Sequence, residues 1–198
     1  MNNLSDQEII SQILNGNFDA YEILVNRYST PLLNLCYRYL HQREEAEDAT
    51  QDIFLKAYTG LADWEPRAQF KTWLYRIAVN HCLNIVRRRK IVHFKSLQDP
   101  KKGIDFFNTL CTSQEDENEE HVSGNQREKF IHYLLNQLSE THRTVLILYY
   151  YQQMSYKEIA ETLQVSLSSV ESRLFRAKKK LAKIIARQKK SFGKFLDF

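Results

Sequence analysis

Five carboxylates, Glu44, Glu45, Glu47, Asp48 and Asp52, fall within nine residues of the stretch HQREEAEDATQDIFLKAY (41–58). Carboxylates this dense can hold a divalent cation, answer a helix dipole or face a basic partner. On a helix, Glu44, Asp48 and Asp52 share one side at i, i+4, i+8. One helix face rarely surrounds a metal, and no HExxH pattern supplies converging ligands, so neither a metal nor any other cofactor is expected. Ala46, Ala49, Ile53 and Ala57 gather on the other side, with Phe54 at its edge. Acids at a helix start suit the dipole, which accounts for Glu44, Glu45 and Glu47. It does not account for Asp52, nor for Leu55 in the middle of the acidic side. Asp48, Gln51 and Asp52 around an apolar Leu55 fit a dock for a basic partner. The residues alone leave a dock and a plain solvated face about level.

A second constellation lies in FKTWLYRIAVNHCLNIVRRRK, expected as one helix from Phe70 to about Lys90 after a loop from Gly60 to Gln69. Phe70, Leu74, Ile77, Ala78 and Ile85 form its core face. Thr72, Arg76, Asn80 and Arg87 form a polar strip, with Asn84 beside it and Trp73 between the faces. Cations, amides and an aromatic ring together can grip an unstacked nucleic-acid strand through phosphates, base edges and base faces. Trp73 or Tyr75 alone reads as core, and the run Arg87 to Lys90 alone as dipole complementation. In combination they favour nucleic acid. His81 and Cys82, being adjacent, point apart on a helix and are expected to pack.

A third constellation is SYKEIAETLQVSLSSVESRLFRAKKKL, preceded by expected helices over Lys129–Leu138 and Thr141–Tyr151. Ser155 with Glu158 makes a capping box, and Ile159, Ala160 and Leu163 face inward. Gln164, Val165 and Ser166 supply a tight turn, and a second helix begins near Ser168 with Val170, Leu174 and Ala177 inward. This is a helix-turn-helix pattern. Its second helix offers Ser168, Ser169, Glu171, Ser172, Arg173, Phe175 and Arg176 to a major groove. Lys178, Lys179, Lys180 and Lys183 suit phosphates, adding salt dependence rather than specificity.

The elements that carry these groups are expected to be helices throughout, because five glycines and three prolines in 198 residues leave little material for turns. Ser5 with Glu8, and Asp19 with Glu22, have capping-box spacing, and the NGN at 15–17 is a stop signal. A second helix is expected to end near Tyr28. Pro31 then opens a third through Leu40, with Leu32, Leu35, Cys36 and Tyr39 on one side. Residues 1–95 carry a net charge of +1, residues 96–126 carry −5 and residues 127–198 carry +8. The expectation is an all-α chain of two small helical domains, 1–95 and 127–198, joined by an acidic, partly mobile linker at 96–126. The basic C-terminal third suggests a polyanionic partner. Cys36, Cys82 and Cys111 form no CxxC pair and imply no disulfide framework. No apolar run is long enough to span a bilayer and no signal pattern opens the chain, so membrane insertion is not expected and a cytoplasmic location is.

AEDATQDIFLKAY, FKTWLYRIAVN and SYKEIAETLQVSLSSVESRLFRAKKKL, in that order with a spacer between the last two, resemble the extracytoplasmic-function (ECF) sigma factors of bacterial RNA polymerase, within the sigma-70 family. The resemblance covers most of residues 4–95 and 127–187. It implies a promoter-specificity subunit with no catalytic residues, built from a region 2-like bundle and a region 4-like helix-turn-helix. Asp48, Gln51, Asp52 and Leu55 would face the clamp coiled coil of the largest subunit of core RNA polymerase. The loop carrying Asp63 and Arg67, with the helix bearing Trp73, Arg76, Asn80, Asn84 and Arg87, would open the −10 element and hold a flipped non-template base. The helix-turn-helix, including Lys179, would read duplex at the −35 element, and the spacer would thread toward the active-site channel. An anti-sigma factor is a further implied partner. One departure stands out. The family usually has Gly-Thr-Val and a basic residue at the start of the recognition helix, where this chain has Ser168-Ser169-Val170-Glu171. Ser168 and Glu171 either form a second capping box or leave Glu171 to accept a hydrogen bond from a cytosine amino group. Two other readings compete: a helix-turn-helix regulator that never engages polymerase, and a metal-dependent nucleic-acid hydrolase using the acidic cluster.

Overall fold

The structure, a computed structural model, describes residues 4–65, 69–96 and 130–188. Among these residues every regular element is helical. All of the expected linker after Ser96, and Arg67, lie outside the described residues.

Helix α1 (Asp6–Leu14) opens with the expected capping box: Glu8 N donates to Ser5 Oγ at 3.3 Å and Ser5 N to the Glu8 carboxylate at 2.7 Å. It buries Ile9, Ile10 and Ile13 and is followed by Gly16 at φ +96, a conformation glycine adopts freely. A 3₁₀ turn (Phe18–Ala20) leads straight into α2 (Tyr21–Leu40). Two expectations fail here. Asp19 lies inside that 3₁₀ turn, so Ala20 occupies the cap position and no Asp19–Glu22 box forms. The helix also does not break near Tyr28, and Pro31 sits in its interior. Pro31 removes one backbone donor, which normally costs a helix dearly. Burial of Leu24 before it and of Leu32, Leu35, Cys36 and Tyr39 after it pins both halves to one core and outweighs that loss.

Helix α3 (Arg43–Thr59) buries Ala46, Ala49, Ile53, Phe54 and Ala57, the side expected from its periodicity. After a 3₁₀ turn (Leu61–Asp63), α4 (Phe70–Ser96) runs longer than expected. Phe70, Leu74 and Ala78 are fully buried, while Ile77 and Ile85 are only partly so. Cys82 packs into the same core, its thiol donating to Cys36 Sγ at 3.6 Å.

The second lobe comprises helical residues 130–136 (α5), α6 (Glu140–Leu146), α7 (Tyr156–Leu163) and α8 (Leu167–Gln188). The helix expected over Thr141–Tyr151 is two pieces, since α6 widens into a π-turn at Ile147–Tyr151. Its apolar residues still reach the core, with Val145, Leu146, Ile147 and Leu148 all buried.

The two lobes pack against each other through α2 and α4 on one side and α5, α6, the π-turn and α7 on the other. The hydrogen bonds across this seam come from polar and aromatic side chains. Tyr39 OH donates to Thr144 Oγ1 at 2.9 Å, Tyr75 OH to Gln152 Oε1 at 2.7 Å, and Gln152 Nε2 to the Pro31 carbonyl at 3.3 Å. Lys71 pairs with Glu158 at 2.9 Å and Arg87 with Glu140 at 3.1 Å. Groups of this kind can return to water when separated, unlike a purely apolar interface. Tyr75→Phe leaves the buried Gln152 acceptor without its donor. It is expected to cost about 1–2 kcal/mol, read as a lower urea midpoint at unchanged slope.

Candidate nucleic-acid and partner surfaces

The outer side of α3 presents Asp48, Gln51, Asp52 and Leu55, all exposed, with Leu55 at 63%. Internal partners are distributed unevenly over these acids. Glu47 accepts from Arg43 Nε at 2.9 Å, and Glu45 holds the Arg89 guanidinium. Asp48 has no ion pair among the described residues. Among the same residues Asp52 has only His81, whose Nε2 lies 3.5 Å away. Burial, and then the neighbouring Lys56, push the His81 pKa below its usual value, which favours the neutral ring. The centre of the acidic face therefore keeps its charge unspent while its edges are neutralised.

On α4, Arg76 is half-buried and Asn80, Asn84 and Arg87 are exposed. Thr72, assigned to the polar strip from periodicity, is instead buried, its hydroxyl donating to the Gln69 carbonyl at 2.8 Å. That bond satisfies the hydroxyl locally and lets the methyl join the core. Trp73 is half-buried, its ring 5.7 Å from that of Phe70. A Cβ on Gly60 would meet the Lys56 carbonyl at 3.2 Å and the Trp73 ring at 3.4 Å, so the absence of a side chain there seats the indole. Asp63 is exposed at the end of its 3₁₀ turn. Trp64, not singled out from the sequence, is buried against Phe70 and anchors the loop to α4. Arg76, Asn80 and Arg87 line one wall of a cleft of about 230 Å³ between the lobes, and Glu140, Thr162 and Arg173 line the other.

The helix-turn-helix is formed by α7 and α8. Ser155 and Glu158 close the expected capping box, with Glu158 N to Ser155 Oγ at 3.2 Å and Ser155 N to the carboxylate at 2.7 Å. Gln164 takes the left-handed conformation that ends α7. Val170, Leu174 and Ala177 are buried as expected. Ser168, Glu171, Ser172, Phe175, Arg176 and Lys179 are exposed, and Ser169 is half-buried. Arg173 departs from this outer surface by facing the inter-lobe cleft. Lys178 lies over the rings of Tyr149 and Tyr150, at 5.1 and 5.5 Å, a cation–π contact with no signature in local spacing.

Residues 24–91 match the Sigma-70 region 2 family and residues 131–181 match Sigma-70, region 4. The chain is 31% identical to the RNA polymerase sigma-H factor of Pseudomonas aeruginosa, across 91% of this chain and 93% of that protein. It is 30% identical to the ECF RNA polymerase sigma-E factor of Haemophilus influenzae, across 88% and 92%. The chain belongs to the ECF sigma factors. As a sigma factor it is a promoter-recognition subunit of RNA polymerase, and its family is a non-catalytic specificity subunit. It is also 35% identical to the RNA polymerase sigma factor YlaC of Bacillus subtilis, across 83% and 91%. CnrH, solved in complex with the cytosolic domain of CnrY, shares the sigma factor's fold at a TM-score of 0.68 and 23% identity, covering 92% of this chain and 97% of that one. The sigma factor RpoE of Bartonella quintana, solved with the anti-sigma factor NepR, does so at 0.60 and 20%, covering 84% and 96%. The acidic face and the α4 strip of this sigma factor fall in its region 2, and the helix-turn-helix in its region 4.

Proposed function

We propose that residues 1–95 form a region 2 domain that docks on the clamp coiled coil of the largest polymerase subunit through Asp48, Gln51, Asp52 and Leu55. The strip Trp73, Arg76, Asn80, Asn84 and Arg87, with Asp63 and Arg67, opens the −10 element and holds its non-template strand. Residues 127–198 form a region 4 domain whose α8 reads duplex at the −35 element, and the acidic linker 96–126 joins the two. Neither domain alone supplies full affinity, and tethering raises the effective concentration of the second contact. A strand reaching Arg76 and Asn80 has to displace the second lobe from the cleft, so promoter engagement requires the seam to part. An anti-sigma protein is a fitting partner for the closed form, since the sigma factor RpoE of the same fold is solved with the anti-sigma factor NepR. The site of action is the cytoplasm, where polymerase and promoter DNA are.

The observation that carries this reading is Leu55, a large apolar side chain left 63% exposed beside Asp48 and Asp52, neither of which pairs with an arginine or lysine among the described residues, on a helix whose other face is buried. Titration of core RNA polymerase with the wild type, Leu55→Asp and Asp52→Lys tests it, with folding checked by circular dichroism. Loss of a central apolar anchor is expected to weaken binding at least about 30-fold. Equal binding by folded variants would sink the dock. A wild type that binds duplex DNA but not core polymerase would favour the regulator reading instead.

A further inference from the structure

The sequence left Glu171 with two roles, and the geometry removes one of them. The helix α8 is capped by Ser166, whose Oγ accepts from Ser169 N at 3.2 Å and whose carbonyl accepts from Ser169 N and Val170 N. Ser168 is therefore the second residue of the helix and cannot cap it; its hydroxyl lies 3.1 Å from that of Ser166. Glu171 is the fifth residue, past the turn in which a carboxylate gains from the dipole. It is exposed and makes no hydrogen bond or ion pair among the described residues. Among the described residues nothing requires a carboxylate there.

Its surroundings set what it can do. Ser168 lies one turn before it and Phe175 one turn after it, the latter 69% exposed, with Ser172, Arg176 and Lys179 alongside. A lone carboxylate in a face presented to DNA repels phosphates and so lowers affinity for every duplex that does not satisfy it. In the major groove, guanine offers Glu171 only acceptors, and thymine offers an acceptor and a methyl group. Adenine offers an amino group with the N7 acceptor beside it, which also repels a carboxylate. Cytosine alone offers an amino donor with no neighbouring major-groove acceptor on the same base.

We propose that Glu171 is a specificity-determining residue that selects cytosine at one position of the −35 element by accepting a hydrogen bond from the N4 amino group, with Phe175 shielding that contact from water. The proposal rests on the reading of α8 as the −35 helix. Glu171 works by exclusion as much as by attraction, since guanine and thymine leave it desolvated and unpaired and adenine sets its N7 acceptor against it.

The test is selection and sequencing of promoter duplexes randomised across the −35 element, bound by holoenzyme assembled with wild type, Glu171→Ala, Glu171→Gln or Arg176→Ala at one fixed salt concentration. The wild type is expected to prefer cytosine about tenfold at one position. Glu171→Ala erases that preference alone and binds the other three bases there more tightly than the wild type. Glu171→Gln moves the preference toward adenine, whose N6 and N7 an amide can pair. If Glu171→Ala keeps the wild-type profile while Arg176→Ala weakens −35 binding, Glu171 is not a reader and the assignment of α8 survives. If neither substitution changes −35 binding, the assignment of α8 fails, and the proposal with it.

Discussion

Tyr39→Ala is expected to destabilise the protein by about 3–5 kcal/mol, as for other large buried aromatics. Tyr39 is buried in α2, donates to Thr144 Oγ1 across the seam, and lies beneath the Arg143 guanidinium at 5.4 Å from its ring centre. Arg143 is itself buried, and its Nη1 donates to Asn136 Oδ1 at 2.6 Å. Burial depresses the Arg143 pKa, a sign that the cation relies on its few partners. Deleting the ring opens a cavity, strips one face from that cation and leaves Thr144 unpaired at once. Tyr39→Phe keeps the ring and is expected to cost about 1 kcal/mol. Urea unfolding of both variants at pH 7 separates ring volume from hydroxyl. Equal losses would assign the effect to the hydrogen bond, and no loss in either would mean that this part of the seam is not made in solution.

Acid is expected to destabilise the closed form earlier than carboxylate protonation would. His41 and His132 meet edge to face at 4.3 Å where α2 approaches α5, and His41 Nε2 lies 3.1 Å from Asn136 Oδ1. Burial pushes His41 down to about 4, helped by Arg143, Arg89 and Arg38, while the Asn136 contact partly opposes this. Burial pushes His132 down to about 3, helped by His41, Arg38 and Arg143. Both pKa values are lower in the folded chain than the ordinary 6.5, so the unfolded chain takes up protons first. The stability is fully present above pH 6.5 and is lost as pH falls toward 4 and then 3. Each histidine costs about 1.4 kcal/mol per pH unit in that range, or roughly 4 kcal/mol for the pair at pH 5. His41 adopts φ 66 after the end of α2, a conformation asparagine tolerates, so His41→Asn with His132→Gln is a suitable control. The double variant is expected to lose most of the fall in stability between pH 7 and pH 5. His81 and His142 are also shifted down and leave a residual slope. An undiminished slope in the variant would exonerate the pair.

The features legible in the sequence were local ones. The boxes at Ser5 and Ser155 depend on residues three apart, and the two faces of α3 on a period of 3.6, so both could be read without knowing the fold. The helix-turn-helix was legible because its caps, turn and inward residues all fall within one short stretch. Pro31 misled because a local rule was overruled by burial on both of its sides. Asp19 misled because a 3₁₀ turn occupied the cap position. Thr72 was drawn into the core by a bond to the Gln69 carbonyl that helical phase cannot reveal. The seam was the least visible feature. Tyr75 finds Gln152 and Tyr39 finds Thr144 from the far half of the chain, and no single residue in those pairs advertises a partner. Arg173 was assigned to DNA by its position on α8, and only the packing of α7 against α4 turned it toward the cleft.

Glu158 has its two carboxylate oxygens in different allegiances. One oxygen accepts from Ser155 N to complete the start of α7, and the other takes Lys71 from α4. Only the second contact crosses between the lobes. When the lobes part, Lys71 leaves and the bond that fixes the first turn of α7 remains, because both of its members travel together. Undocking of the kind proposed would thus be a rigid-body event rather than an unravelling. On the proposed reading, the helix-turn-helix would arrive at DNA already assembled, and its helices would need no refolding at the promoter.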